Sequence, residues 1–252
     1  MRIDRLLCEL NIGSRSRVKE YLKKGLILVD GQKITKPDTK VDEKTAVICY
    51  GGRQYRYQPF VYYMMNKPAG VVSATTDAHD RTVLDVFAEK ILQLQQDDIQ
   101  KEDRTVSAIA GIPIKDIFPV GRLDKDTVGL LLLTNDGETA HRLLSPVKHV
   151  PKTYYVETDG NITGEMVQKL SNGLDIGEKA LTKEAKVDLL SEKSCHLTIT
   201  EGKFHQVKRM FSALGLKVLY LKRISMGSLV LDEGLLEGEI RELTEEEVAD
   251  LC

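Results

Sequence analysis

Over the first 50 residues, the spacing of apolar positions predicts two short helices and then a small sheet. The first helix carries four apolar residues at helical spacing: Ile3, Leu6, Leu7 and Leu10. The stop signal Asn11-Ile12-Gly13 ends it, Ser14 caps a second helix, and Gly25 ends that one. Strands at 26–29 and 32–34 flank Asp30-Gly31, a preferred two-residue hairpin turn, and residues 45–50 supply a third strand.

The polar stretch 51–59 contains two glycines and one proline, a composition that predicts a linker. We therefore place a domain boundary near residue 59. Residues 1–58 are expected to form a small domain, and residues 59–252 a larger one.

In the larger region, short apolar runs predict strands at 61–65, 128–134, 152–158 and 195–200. Helices are expected at 138–144, from Thr163 to Leu170, and after Gly202. The Gln-rich stretch 88–116 fits no strong period and predicts an insertion with a partial helix. We expect an α+β fold, with a small amino-terminal helix-helix-hairpin domain followed by a larger domain.

Length and cysteine usage limit the class of protein. A chain of 252 residues can form one large or two modest domains with real cores. No signal peptide or long apolar segment is evident, and the cysteines lack the paired spacing of zinc sites: Cys8, Cys49, Cys195 and Cys252. We expect a reduced, cytoplasmic protein that has no membrane segment and binds no metal.

The net charge of −2 hides a polarised distribution. Residues 1–58 hold 13 lysines and arginines against 7 acidic residues, a net charge of +6, and the acidic excess gathers near the carboxyl terminus. The predicted second helix carries much of the positive charge on its outer surface, at Arg15, Arg17, Lys19, Lys23 and Lys24. Such a helix is suited to bind phosphates with little sequence readout.

Candidate chemistry is concentrated just before the predicted strand at 128–134. Arg122 and Asp124 precede this apolar run directly, so the sheet would fix their backbone at a cleft. Asp124, Asp126 and Asp136 are also compatible with ordinary turns that flank a core strand. The segment alone does not decide between a catalytic and a structural role.

Two resemblances carry the interpretation further. The first 50 residues, with Ser14-Arg15-Ser16 and Val29-Asp30-Gly31, resemble the alpha-L RNA-binding module first named from a small-subunit ribosomal protein. The rest of the chain resembles the rRNA pseudouridine synthases, in particular their small-subunit (16S) subfamily. Four motifs occur in the expected order: Asn66-Lys67-Pro68-Ala69-Gly70, Gly121-Arg122-Leu123-Asp124, Lys152-Thr153-Tyr154 and residues 201–210, which include His205-Gln206.

The resemblance implies a mixed, mainly antiparallel catalytic sheet and the isomerisation of uridine to pseudouridine without metal or cofactor. Asp124 would be the catalytic carboxylate, which attacks the sugar at C1′, adds to the uracil ring or removes the C2′ proton. Tyr154 would stack on the base, and Lys208 would keep Asp124 ionised. Arg122 would enter the space left by the flipped uridine. Further RNA contacts are expected at Lys67, His205, Gln206 and Arg209, and at the helix cations Arg15, Arg17, Lys19 and Lys23.

The expected partner is ribosomal RNA or a ribosomal subunit precursor, bound by a monomer. The target uridine stays open, and so does a large-subunit substrate. A non-catalytic rRNA-binding or assembly factor is the main alternative, against which Asp124 in its full Gly-Arg-Leu-Asp setting argues. A metal-dependent nuclease is disfavoured, because no second carboxylate motif accompanies Asp124, Asp126 and Asp136 to hold paired ions.

Overall fold

The structure is a computed structural model that describes residues 1–10, 12–57, 59–100, 116–145 and 147–251, with the side chains of 94–100 left aside. The chain divides into two compact units. The first comprises Met1–Val61 and Phe87–Ile117, and the second Tyr62–Val86 and Phe118–Cys252. The domain boundary near residue 59 stays a prediction. None of the described helices is both long and apolar enough to cross a membrane.

The first unit begins with helices α1 (Ile3–Glu9) and α2 (Arg15–Lys23). Strands β1 (Leu28–Val29), β2 (Gln32–Lys33), β3 (Val47–Tyr50) and β4 (Arg53–Arg56) follow and form a sheet in the order β2-β1-β3-β4. The predicted helical positions are buried in its core: Ile3, Leu6, Leu7, Leu10, Val18 and Leu22. The predicted helices and hairpin are therefore confirmed.

The predicted linker at 51–59 is wrong over its first part, because β4 lies there. Gly51 and Gly52 have φ values of 59° and 79°, which suit a two-residue turn of the primed type. They connect β3 to β4 with Tyr50 opposite Arg53. A Gly-Gly pair signals this kind of hairpin as readily as it signals a linker.

The second unit is built on one large sheet. Its strands are β5 (Tyr62–Lys67), β6 (Phe118–Pro119), β7 (Val128–Thr134), β8 (Lys152–Thr158), β9 (Lys186–Ser191), β10 (Ser194–Ile199), β11 (Val218–Met226), β12 (Leu229–Val230) and β13 (Ile240–Glu242). The main order is β13-β5-β7-β11-β8-β10-β9, with β6 beside β7 and β12 beside β11. Only β7 and β11 pair in parallel among the described strands, which confirms a mainly antiparallel sheet.

Both central strands β5 and β7 are buried along their whole length, which explains the unbroken apolar run at 130–133. The helices that follow α2 are α3 (Val83–Gln100), which belongs to the first unit from Phe87 onwards, and α4 (Gly137–Leu144), α5 (Gly164–Asn172), α6 (Gln206–Ala213) and α7 (Glu245–Leu251) of the second unit. Asp136 and Thr163 cap α4 and α5 through their side-chain oxygens. The helix α3 begins five residues before the predicted insertion, and residues 101–115 of that insertion lie outside the described residues.

The acidic carboxyl-terminal segment is part of the second unit's sheet and core. Its strand β13 pairs with β5, and Leu243 and Leu251 are buried. Arg241 forms ion pairs with Asp232 and Glu247, so two of the acidic residues are held by one cation.

Candidate active site

Asp124 lies on the loop that leads into β7, and hydrogen bonds to the backbone of its neighbours fix this loop. The Ser73 hydroxyl accepts from the Leu123 N–H at 3.1 Å and donates to the Leu123 carbonyl at 3.0 Å. The Gly70 N–H donates to the Lys125 carbonyl at 2.8 Å. Residues on both sides of Asp124 are therefore held in place, which suits a group that must be positioned precisely for chemistry.

Lys67 supports the same loop from inside, and its predicted contact with RNA is corrected. Its side chain is fully buried. The ammonium donates to the carbonyls of Thr127 at 2.9 Å, Pro68 at 3.0 Å and Lys125 at 3.3 Å. Burial lowers the pKa of Lys67 to about 8. A lysine enclosed in this way cannot present its charge to a phosphate.

Asp124 opens into a small cleft of about 90 Å³, which is less than the ~300–1,000 Å³ usual for ligand sites. The cleft brings together residues from the loop before β7, from β8 and from the start of α6. Its lining includes Arg122, Asp124, Thr127, Tyr154, His205, Gln206 and Lys208. Three separate motifs of the sequence thus converge on one cleft.

Lys208 bridges two carboxylates at the wall of this cleft. Its ammonium lies 3.2 Å from Asp124 Oδ2 and 2.5 Å from Asp126 Oδ1. Burial alone would lower the pKa of Lys208, but hydrogen bonds and charges of both carboxylates outweigh it and raise that pKa. The hydrogen bond from Lys208 also lowers the pKa of Asp126. Sequence reasoning paired Lys208 with Asp124 and missed Asp126, which stood two residues away.

Tyr154 and Tyr155 point to opposite faces of β8. Tyr154 is buried and lines the cleft beside Asp124. The Tyr155 hydroxyl instead donates to Glu157 Oε1 at 2.6 Å, and Glu157 lies two positions along the same strand. Tyr154 therefore meets the geometric requirement for contact with a bound base, and its catalytic role stays a prediction.

The turn at 201–206 is held by the side chains of Gln206 and Arg209. Gln206 is buried, accepts from the Lys203 N–H at 2.8 Å and donates to Glu201 Oε1 at 2.7 Å. Arg209 donates to Glu178 at 2.7 Å and to the carbonyl of Phe204 at 3.0 Å. The predicted RNA contact of Gln206 is corrected, because its side chain is buried among protein groups. The RNA contact of Arg209 stays a prediction, since three protein groups bind its guanidinium without occupying all five of its donors.

His205 and the remaining predicted RNA contacts are exposed. His205 adopts a left-handed backbone conformation with φ 48°, and its Nε2 lies 3.4 Å from Asp124 Oδ1. Arg122 is exposed at the same cleft. In the first unit, all four predicted contact residues of α2 face solvent: Arg15, Arg17, Lys19 and Lys23. Ser14 precedes that helix as predicted but forms no side-chain cap.

Sequence reasoning also missed two features at the start of β7, where it lies beside β11. Gly129 has φ 102°, and a Cβ there would lie 2.3 Å from the carbonyl of Arg223. Arg223 on the parallel neighbour β11 is buried and donates through Nε to the Leu130 carbonyl at 2.7 Å. Gly129 therefore permits the close approach of β7 and β11 just after the Asp124 loop, a requirement that the strand pairing reveals.

Comparison with known proteins agrees with this geometry. A family model described as RNA pseudouridylate synthase matches residues 61–213, and an S4 domain model matches residues 1–47. The chain is 44% identical to the protein of Bacillus subtilis (strain 168) named uncharacterized RNA pseudouridine synthase YtzG, over 98% of this chain and 97% of that one. It is 37% identical to ribosomal small subunit pseudouridine synthase A of Vibrio cholerae, over 100% and 99% of the two chains.

Two further comparisons test the subfamily and the fold. Ribosomal large subunit pseudouridine synthase B of Bacillus subtilis is 36% identical over 99% of this chain and 95% of that one. A crystal structure of a pseudouridylate synthase covers 100% of both chains at 33% identity with a TM-score of 0.64.

The fold and the cleft thus define an RNA-modifying isomerase. The chain belongs to the RNA pseudouridylate synthase family, with an S4 domain at its amino terminus.

Proposed function

We propose that this enzyme isomerises one uridine of ribosomal RNA to pseudouridine, with Asp124 as the catalytic carboxylate and small-subunit (16S) rRNA as substrate. One observation carries the proposal: Asp124, Tyr154 and Lys208 come from three distant parts of the chain and line one open cleft. The fixed loop around Asp124 supports a reacting group better than it supports a simple turn.

The reaction leaves the composition of the nucleotide unchanged, with one proton lost and one gained. The bond from N1 to C1′ breaks, the base rotates, a bond from C5 to C1′ forms, and the C5 proton leaves while N1 gains one. Asp124 is the group that attacks C1′, adds to the ring or removes the C2′ proton. The Lys208 ammonium lies 3.2 Å from Oδ2 of Asp124 and pairs with the carboxylate that each of these routes uses. Tyr154 provides a ring face for the base and a hydroxyl to receive the C5 proton.

Two kinds of contact bind the RNA: phosphate contacts by the cations of α2, and insertion of Arg122 in place of the flipped uridine. The exposed cations of α2 contact phosphates, which gives affinity with little sequence readout. Arg122, exposed at the cleft, replaces the flipped uridine, because a guanidinium can both stack and bind phosphate. His205 adds a contact at the rim of the cleft.

Similarity in length and sequence to the Vibrio cholerae small-subunit enzyme favours small-subunit rRNA, and so does His205-Gln206 at the start of α6. The large-subunit enzyme of Bacillus subtilis is similar enough to keep large-subunit rRNA as the alternative. We place the enzyme in the cytoplasm as a monomer that acts on ribosomal RNA or a subunit precursor.

The test has two parts. Carbodiimide-blocked reverse-transcription stops are mapped across rRNA from cells with and without this protein. The purified enzyme is then assayed for tritium release from 5-labelled uridine in the rRNA whose stop disappeared. We expect one stop in small-subunit rRNA to disappear and to be restored in vitro. A stop that disappears from large-subunit rRNA would overturn the substrate assignment, and no tritium release from any rRNA would overturn the activity.

A further inference from the structure

Phe204 is an exposed aromatic residue that the chemistry described above does not use. Its side chain is 73% exposed, although it stands next to the candidate active site in sequence. One face of its ring stacks on His205, with ring centroids 3.9 Å apart and an interplanar angle of 19°. The other face is therefore the one that contributes to the exposed surface.

The backbone around Phe204 is fixed. Its carbonyl accepts from Arg209 at 3.0 Å, and the preceding Lys203 donates its ammonium to the carbonyls of Ala180 and Leu181 at 3.1 and 3.0 Å. His205, which follows, holds a left-handed conformation that costs about 1–2 kcal/mol for a residue with a Cβ. The loop thus tolerates strain while it keeps an apolar ring in water, a combination that suggests a binding function.

The position of the ring indicates what it binds. His205 lines the cleft, with Nε2 3.4 Å from Asp124 Oδ1, and Phe204 stacks on the His205 ring but is not among the residues that line the cleft. A uridine that enters the cleft is covalently joined to two neighbouring nucleotides that stay outside it. The bases of those nucleotides are left without a stacking partner, and an aromatic face is the surface that replaces one.

We propose that the outer face of Phe204 stacks on the base of a nucleotide adjacent to the target uridine. This inference rests on the proposed function. Phe204 is then a positioning residue: it holds the strand at the rim while the uridine occupies the cleft. Stacking is tolerant of base identity, so the ring contributes affinity rather than a sequence code.

The test uses single-turnover tritium release from an rRNA fragment that contains the mapped uridine, with wild type, Phe204→Ala and Phe204→Tyr. We expect Phe204→Ala to raise the enzyme concentration for half-maximal rate by roughly 5- to 150-fold, the effect of one base–aromatic stack, with an unchanged maximal rate. Phe204→Tyr should keep the wild-type value because it retains the ring. Leu219→Ala is the control, since Leu219 is also an exposed apolar residue, 61% exposed on β11.

The partner base is identified by repeating the assay with an abasic nucleotide on each side of the uridine. At one side, loss of the base should weaken binding by wild type and have no further effect on Phe204→Ala. The proposal would be overturned if the effects of Phe204→Ala and of the abasic nucleotide on the half-maximal enzyme concentration were additive at both sides. It would also be overturned if Phe204→Ala left that concentration unchanged. A lower maximal rate alone would assign Phe204 to support of His205 instead. Wild type without tritium release would reject the proposed function itself, a result that is distinct from these.

Discussion

The helices α2 and α6 both carry cations that the sequence singles out, but their surroundings differ. Those of α2 were predicted to contact RNA, whereas on α6 Lys208 was predicted to pair with Asp124 and Arg209 to contact RNA. On α2, Arg15, Arg17, Lys19 and Lys23 face solvent. On α6, Lys208 is held by Asp124 and Asp126, and Arg209 by Glu178 and two backbone carbonyls.

The two sets of cations therefore have different roles, one in RNA binding and one in holding protein groups in position. An exposed cation is available to a phosphate and contributes a salt-dependent term to affinity. A cation with protein partners keeps a loop or a carboxylate in position, and its removal leaves those partners without a donor. Lys67 belongs to the second kind as well, since three carbonyls surround its ammonium.

The largest expected effect separates the two carboxylates that Lys208 holds. Asp124→Asn should lower single-turnover tritium release by roughly 10⁴-fold or more, because the amide is isosteric but neither nucleophilic nor basic. RNA affinity and thermal stability should change little. Asp126→Asn is the matched control, since its side chain is 75% exposed and lies on the same cation. If Asp126→Asn is the slower variant, the catalytic carboxylate has been assigned to the wrong residue.

The second prediction distinguishes the two tyrosines of β8. Tyr154→Phe should keep RNA binding, because the ring still stacks, but its rate should fall roughly 10²-fold or more if the hydroxyl receives the C5 proton. Tyr155→Phe removes only the hydrogen bond to Glu157 on the other face and should be nearly silent. Single-turnover tritium release at saturating enzyme compares them, and a slower Tyr155→Phe would contradict the site.

Local patterns predicted most of the fold. Helical spacing found α1 and α2, unbroken apolar runs found β5 and β7, and alternation placed Tyr154 and Tyr155 on opposite faces. These patterns depend on neighbours within a few positions, so one sequence suffices.

What the sequence did not reveal depends on contacts between distant segments. Lys67 pairs with Gly129 across β5 and β7, and that register places its ammonium among the carbonyls of the Asp124 loop. Ser73 fixes Leu123 from 50 positions away. No local pattern distinguishes such a buried lysine or serine from a surface one, which is why Lys67 was assigned to RNA.

The third prediction tests Lys67 as an internal cation. Lys67→Met leaves three carbonyls without their donor and should lower the free energy of unfolding by about 1–3 kcal/mol at pH 7. Lys125→Met, an exposed residue that pairs with Asp80, is the control and should stay within about 0.5 kcal/mol. Urea unfolding of both variants and wild type provides the measurement.

The difference in unfolding free energy between wild type and Lys67→Met should depend on pH, and the pKa of Lys67 fixes the direction. Burial lowers the pKa of folded Lys67 from 10.5 to about 8, so between these pH values the unfolded chain binds a proton that the folded chain has released. Wild type should therefore gain stability relative to Lys67→Met as the pH rises through this window, by at most about 3 kcal/mol. If the stability difference between wild type and Lys67→Met becomes smaller above pH 8, the hydrogen bonds to the carbonyls raise the pKa of Lys67 more than burial lowers it.

The smallest expected effect tests the comparison of α2 with α6 directly. Glutamine at Arg15, Arg17, Lys19 and Lys23 should weaken RNA binding and reduce its salt slope by roughly 0.7–0.9 for each phosphate that is no longer neutralised. The maximal single-turnover rate should not change, because these residues contribute only to RNA binding.

Arg209→Gln is the matched variant on α6. It should lower the melting temperature, because Glu178 and the Phe204 carbonyl lose their donor, and it should leave the salt slope unchanged. Filter binding across a salt series, with thermal unfolding of the same samples, separates these results. A reduced slope in Arg209→Gln would place its guanidinium on RNA and abolish the distinction between the two helices.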